Sequence, residues 1–133
     1  MNIMTNKEFI FNYLKSYEKG RQEVVNEYLH PKHIWYAPGG KESFNRKERL
    51  NDEAFFFSAF SDIKVTVEDQ IAEDDKVASR VTMHCRHSGK YQGIPATNRR
   101  ITISYLDFVV IKDGKIYQEW AEFNMPSILE QLQ

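Results

Sequence analysis

The apolar residues of this chain change their spacing near residue 60, and that switch limits the folds open to it. Ahead of it the spacing is helical. Thr5 and Glu8 form a capping-box pair, and Ile10, Tyr13, Leu14 and Tyr17 follow on one stripe up to a stop at Gly20. A second short helix carries Val24, Val25, Tyr28 and Leu29 and ends at Pro31. Ile34-Trp35-Tyr36 reads as a short strand entering the loop Ala37-Pro38-Gly39-Gly40. Asn45 and Glu48 cap a third helix, with Leu50, Ala54, Phe57 and Phe60 on one stripe and Phe55 and Phe56 widening it. Beyond that helix the period is two. Ile63, Val65, Val67 and Ile71 alternate with polar residues, and further strands are expected at about 77–87, 99–111 and 116–123. Asp113-Gly114 supplies the positive φ of a hairpin turn, and Pro126 suits the first turn of a short closing helix. Helices followed by hairpin-linked strands indicate an α+β fold and not alternating βαβ units. A strongly curved, mostly antiparallel sheet wrapped around the three N-terminal helices would enclose a pocket.

Composition narrows the function classes. With 133 residues, 41% hydrophobic and 14% aromatic, the chain suits one domain over 1–133 with a core that needs no staples. Eighteen basic against nineteen acidic residues give a net charge of −1, which disfavours a nucleic-acid-binding surface. The single cysteine, Cys85, excludes an internal disulfide. No apolar run approaches the ~20 residues of a membrane span, and Met1–Glu8 lacks the long apolar stretch of a signal peptide. A cytoplasmic location is expected.

The last strand is the most informative segment. Alternation puts Gln118, Trp120, Glu122 and Asn124 on one face, with Tyr117, Glu119, Ala121 and Phe123 opposite. If the first set points inward, Trp120 is a pocket wall and Glu122 a carboxylate whose pKa burial would raise toward neutrality. Otherwise Glu122 is solvated at an open rim. Asn124 either faces the pocket or N-caps the last helix. His87, near a strand end beside the Gly89 loop, is an acid–base candidate or a hydrogen-bonded structural histidine. Cys85 and His87 share a strand face, but two ligands are too few for a metal site, so no metal is expected. Asp107 interrupts the apolar run Tyr105–Val110 and must be paired, protonated or turned outward, with Arg80 on the neighbouring strand as a possible partner. No Gly-rich phosphate loop, nucleophile elbow or dinucleotide fingerprint occurs, and no cofactor is implied.

Several stretches taken together resemble the SnoaL-like polyketide (ester) cyclases. They are Phe60–Asp69, Asp75-Lys76-Val77-Ala78, His87-Ser88-Gly89, Gly93-Ile94-Pro95-Ala96-Thr97, Asp113-Gly114-Lys115-Ile116, Glu119-Trp120 and Leu129–Leu132. The resemblance implies a nuclear-transport-factor-2-like fold: a cone-shaped α+β barrel, dimeric through its outer sheet face, with a deep apolar pocket. It also implies an intramolecular aldol condensation that needs no metal and no cofactor. Two positions depart from the family pattern. The acid–base aspartate falls on Asn124, and a histidine that follows the second helix falls on Tyr36. The expected site therefore comprises Glu122, Asn124, His87 and Tyr36 as catalytic groups, with Trp120, Trp35, Phe56 and Phe60 lining the pocket. Its occupant is a small hydrophobic carbonyl compound, either transformed by proton transfer or simply bound. The expected assembly is a homodimer, with no nucleic-acid or membrane partner.

Overall fold

The computed structural model describes residues 4–133, so the first three residues of the segment read as lacking a signal peptide lie outside it. Helix α1, Asn6–Ser16, begins where the Thr5 side chain accepts the Glu8 N–H, and it buries Ile10, Tyr13 and Leu14. A 3₁₀ turn, Tyr17–Lys19, follows and ends at Gly20 with φ 69°. Helix α2 is a single short segment, Gln22–Asn26. It stops sooner than its apolar stripe suggests, because strand β1 already starts at Leu29 and runs to Tyr36. Pro31 is tolerated in β1 because the register shifts between Leu29 and Ile34, where no regular ladder bond is required of it.

Strand β2, Ser43–Asn45, is a short edge strand between the Ala37–Gly40 loop and the third helix. Helix α3, Arg46–Ala59, opens with a complete capping box between Asn45 and Glu48. Phe60 does not extend the helical stripe; it is the first residue of β3, Phe60–Glu73. Strands β4 (Lys76–His87), β5 (Arg100–Lys112) and β6 (Lys115–Phe123) follow, and α4 (Met125–Gln131) closes the chain.

The six strands form one mixed sheet in the order β2-β1-β6-β5-β4-β3. All pairs are antiparallel except β1 with β6. The fold is thus α+β as expected, with four α-helices and an added 3₁₀ turn among the described residues, but the sheet they form is open and does not close into a barrel. Its long edge strand is covered by side chains of the first helical layer. Lys15 Nζ donates to the Val65 carbonyl at 2.8 Å, and Glu18 accepts the Val65 N–H at 2.8 Å. Satisfying an edge in this way removes a template for unwanted strand pairing. No helix among the described residues is long and apolar enough to cross a membrane.

Register decides which sheet face carries the chemistry. Directly paired residues of neighbouring strands share a face. Val109 pairs with Glu119, Asp107 with Ala121 and Tyr105 with Phe123, so these β6 residues join the buried face of β5. Phe108 pairs with Trp120 and Leu106 with Glu122, which sends Trp120 and Glu122 to the outer face, where Leu106 and Phe108 are exposed. The inward face of β6 is therefore the one opposite to that assumed for a catalytic Glu122.

The loop between β4 and β5 covers the inner face from one side. Ser88 and Gly89 both donate their N–H groups to the Ala59 carbonyl at the end of α3. A Cβ at position 89 would overlap the Ser58 carbonyl oxygen, so only glycine lets loop and helix approach this closely. Gly89→Ala is expected to destabilise the protein by about 1–3 kcal/mol in urea unfolding, the range for overpacking a tight contact. A midpoint equal to that of the parent would contradict this account.

Candidate functional site

Between the helices and the inner sheet face lies a cavity of about 890 Å³. Its walls are largely aromatic, with Trp35, Phe44, Phe55, Phe56, Tyr91 and Phe123 contributing. Phe55 is 73% exposed and marks the open end, together with Lys90 and Gln92 of the β4–β5 loop. A volume in this range suits a small organic ligand, and such pockets add a few placed polar groups to apolar walls. Here those groups lie at the closed end, where Arg49, Glu53, Tyr105, Asp107 and Glu119 meet.

Arg49 organises this floor. It projects from α3, is 2% exposed, and directs each part of its guanidinium to a different partner. Nε donates to Glu53 Oε1 at 3.2 Å. Nη1 donates to Glu119 Oε1 and to His33 Nε2, both at 2.8 Å. Nη2 donates to the Tyr13 hydroxyl at 2.6 Å and the Tyr17 hydroxyl at 2.9 Å. The guanidinium also lies 5.5 Å from the centre of the Trp35 ring, within cation–π range.

The surrounding groups adjust to this cation. His33 Nε2 accepts from Arg49, so Nδ1 carries the hydrogen and donates it to the Ile116 carbonyl at 3.0 Å. Burial, reinforced by Arg49, lowers the His33 pKa to about 4 and keeps the ring neutral. The Tyr13 hydroxyl donates to Glu119, 2.9 Å from both carboxylate oxygens. Burial pushes the Glu119 carboxyl up, but Arg49, hydrogen bonding with Asp107 and the remaining contacts outweigh it and bring the pKa to about 2. Asp107 is different. No N–H or O–H of the described residues reaches its Oδ2, and Glu119 is its diagonal neighbour on the same buried sheet face. Burial and the Glu119 charge raise its pKa well above the ordinary aspartate value. Glu53 is also buried, has its pKa raised by burial against the pull of Arg49, and leaves Oε2 without a hydrogen-bond partner among the described residues.

The residues expected from the sequence divide between the two sheet faces. Trp35 and Phe56 line the cavity. Phe60 lies 1% exposed in the core behind it, with its ring 5.0 Å from Phe56 and 4.9 Å from Tyr91. His87 is fully buried beside Phe60, and its Nδ1 accepts the Thr97 N–H at 3.2 Å, so it fastens the loop and does not line the cavity. Tyr36 and Trp120 stack on the outer face at 4.7 Å, as their pairing across β1 and β6 requires. Glu122, on that same face, is exposed and accepts the Gly39 N–H at 2.9 Å. Asn124 Oδ1 accepts the Ser127 N–H at 3.1 Å and caps α4. Arg80 pairs with Asp69 across β3 and β4 and not with Asp107, which points to the other face.

Sequence reasoning missed Arg49, Glu53, His33 and Glu119 as a group. Two signals were available. Asp107 interrupts an apolar run, and Arg49 and Glu53 stand at i, i+4 on the helix that carries Phe55, Phe56 and Phe57.

The two kinds of buried group oppose each other in their effect on stability. His33 has a folded pKa below its unfolded value, so its contribution is complete above pH 6.5 and is lost as pH falls toward 4. Asp107 has a raised folded pKa, so its contribution is present in acid and is lost as pH rises. In the upper half of the His33 window the two slopes counteract one another. His33→Gln should therefore make stability fall more steeply with rising pH, and Asp107→Asn should make it rise, each by up to about 1.4 kcal/mol per pH unit. Chemical denaturation at a series of pH values checks the two signs.

A family model described as SnoaL-like polyketide cyclase matches residues 9–132. No curated protein matches the chain in sequence. Among solved structures, AclR from Streptomyces galilaeus, put forward as a hydroxylase, superposes with a TM-score of 0.87 at 21% identity, covering 96% of this chain and 94% of that one. IdmH from Streptomyces antibioticus, put forward as a polyketide cyclase, gives 0.82 at 24% identity over 96% and 98% of the two chains. TsrD from Streptomyces laurentii gives 0.80 at 25% identity over 99% and 97%. The structural likeness extends the match along nearly the whole chain and agrees with a nuclear-transport-factor-2-like fold. The protein belongs to the SnoaL-like polyketide cyclase family.

Proposed function

We propose that the protein catalyses a cofactor-free proton transfer on a small hydrophobic carbonyl compound, an enolisation that leads to aldol-type ring closure or isomerisation. Asp107 is the hydrogen-bond donor and Glu53 the proton acceptor. The observation that carries this reading is the pair of buried carboxyls at the closed end of an aromatic cavity, each with an oxygen that receives no N–H or hydroxyl hydrogen bond from the described residues. Their environments assign different tasks to similar groups. Asp107, pressed against ionised Glu119, holds its proton and offers it to a carbonyl oxygen. Glu53, paired with Arg49 through one oxygen, remains a carboxylate of raised basicity whose other oxygen is buried without a hydrogen-bond partner among the described residues.

In the reaction Glu53 takes the proton from the carbon next to the carbonyl. The C–H electron pair becomes the new C=C bond, and the carbonyl π pair moves onto oxygen, where Asp107 donates. The Tyr105 hydroxyl, kept protonated by burial, is a second donor on the same wall. Donors fixed in a water-poor site stabilise such an oxygen by about 2.7–4 kcal/mol apiece. The enol carbon can then attack a second carbonyl of the same molecule, the first C=O re-forming while the second oxygen takes up the proton held by Glu53, or that proton can return at another carbon.

Hydrogen–deuterium exchange at C2 of ethyl acetoacetate and related 1,3-dicarbonyl esters, followed by NMR, tests the assignment. Asp107→Asn and Glu53→Gln should each slow exchange by about 10²–10⁴-fold, while Glu122→Gln leaves it unchanged. The rate of the parent should fall in acid as Glu53 protonates, above the usual glutamate range, and fall in alkali as Asp107 ionises. Equal rates for all four proteins would dismiss the reading.

A second reading, a binding protein without chemistry, is favoured by one observation. Asn124, on which the family's acid–base aspartate falls, is occupied as a helix cap. Denaturing mass spectrometry of the purified protein, showing a carried ligand that is released unchanged, is the outcome expected of a binder.

A further inference from the structure

We propose that Arg49 is a positioning residue that decides which carboxyl of the cavity floor holds the proton: it keeps Glu119 ionised and so leaves Asp107 as the protonated group facing the ligand. This rests on the proposed function only for its consequence; the proton placement itself follows from the contacts.

A guanidinium has five N–H groups, and those of Arg49 all end within the protein, on Glu53, His33, Glu119, Tyr13 and Tyr17. None is left for a ligand, although Arg49 borders the cavity. Its influence on chemistry must therefore pass through its partners.

Three buried carboxyls, Glu53, Asp107 and Glu119, surround this one cation. His33 adds no charge, since its Nε2 is the acceptor of an Arg49 N–H. Tyr13 and Tyr17, from α1 and the turn after it, and Tyr105 of β5 are held protonated by burial. Asp52 of α3 is exposed where it borders the cavity, and Arg46, half-buried on the same helix, acts on His33. Ionising all three carboxyls would leave two uncompensated negative charges out of water, an arrangement that proteins avoid by retaining a proton.

The contacts then place that proton. Asp107 and Glu119 lie diagonally on the same buried face of β5 and β6, so two negative charges there would repel. Glu119 already accepts from Arg49 and Tyr13. Asp107 has no such donor. The hydrogen therefore resides on Asp107 and Glu119 stays ionised, as in carboxyl pairs in which one member is pinned as the anion.

Infrared spectroscopy with carboxyl-labelled aspartate or, separately, glutamate reads the placement directly. At neutral pH the parent should show a protonated-acid C=O band in the aspartate-labelled protein that disappears in Asp107→Asn. No glutamate acid band should be assignable to position 119 by its loss in Glu119→Gln. In Arg49→Gln an acid band at Glu119 should appear. Tyr13→Phe, which removes one donor from Glu119 and leaves Arg49 in place, should shift part of the acid signal from aspartate to glutamate. This milder variant carries the test if Arg49→Gln does not fold. An acid band at Glu119 in the parent, or an unchanged distribution in Arg49→Gln or Tyr13→Phe, would overturn the proposal. The labelled bands need no substrate. Absent exchange activity with the expected bands defeats the catalytic reading alone, and the converse result defeats the proton placement alone.

Discussion

A single buried guanidinium joins most of the inner layer. Through Arg49, helix α3 is tied to α1, to the turn that follows it, to β1 and to β6. Removing one partner from a buried ion pair commonly costs about 3–5 kcal/mol, because the group left behind keeps its charge but loses its compensation. The same geometry that makes the network costly to break makes it specific. His33 is confined to one tautomer, Tyr13 is directed at Glu119, and Asp107 is left without a donor. The polar end of the cavity is thus a consequence of how the helices dock on the sheet. The apolar end is built by aromatic residues that helices and strands contribute independently.

The two sheet faces have different tasks, and β6 shows how the division arises. Trp120 and Glu122 are bulky and charged residues that suggest a site, yet pairing with Phe108 and Leu106 carries them to the outer surface. There Trp120 stacks on Tyr36, and Glu122 binds the loop at Gly39. Glu119, two residues away from Ala121 on the inner face, takes part in the buried network. A one-residue change of register would exchange the two sets completely, so the location of the carboxylates depends on strand pairing and not on local sequence.

Membership of the SnoaL-like polyketide cyclases fits this architecture, but the ionisable groups at the cavity floor are not those that a motif comparison selects. At the position of the family's acid–base aspartate stands Asn124, and its amide starts α4. His87, another match to the family pattern, secures the β4–β5 loop to the sheet. The titratable groups that do border the cavity come from the middle of α3, β5 and β6. They are brought together by packing between elements far apart in the chain.

Much of the fold was legible in the residues themselves. Capping pairs at Thr5/Glu8 and Asn45/Glu48, the alternation of β4 and β5 and the Asp113-Gly114 turn are local features, and each formed where local chemistry required it. The early start of β1, its parallel pairing with β6 and the open sheet were not legible, because they depend on contacts between distant segments. The site divides in the same way. Asp107 could be recognised as a carboxyl in need of an explanation, since an acid within an apolar run is costly wherever it lies. Its pairing with Glu119, the cation that ionises Glu119 and the free oxygen of Glu53 emerged only when α3 packed over the inner face. Sequence by itself determined the α+β class, the family and the supply of aromatic side chains, because these are written in short-range spacing and residue type. Tertiary structure alone decided which carboxyls face the cavity and which of them keeps its proton, because burial and electrostatic coupling exist only between groups that folding brings together.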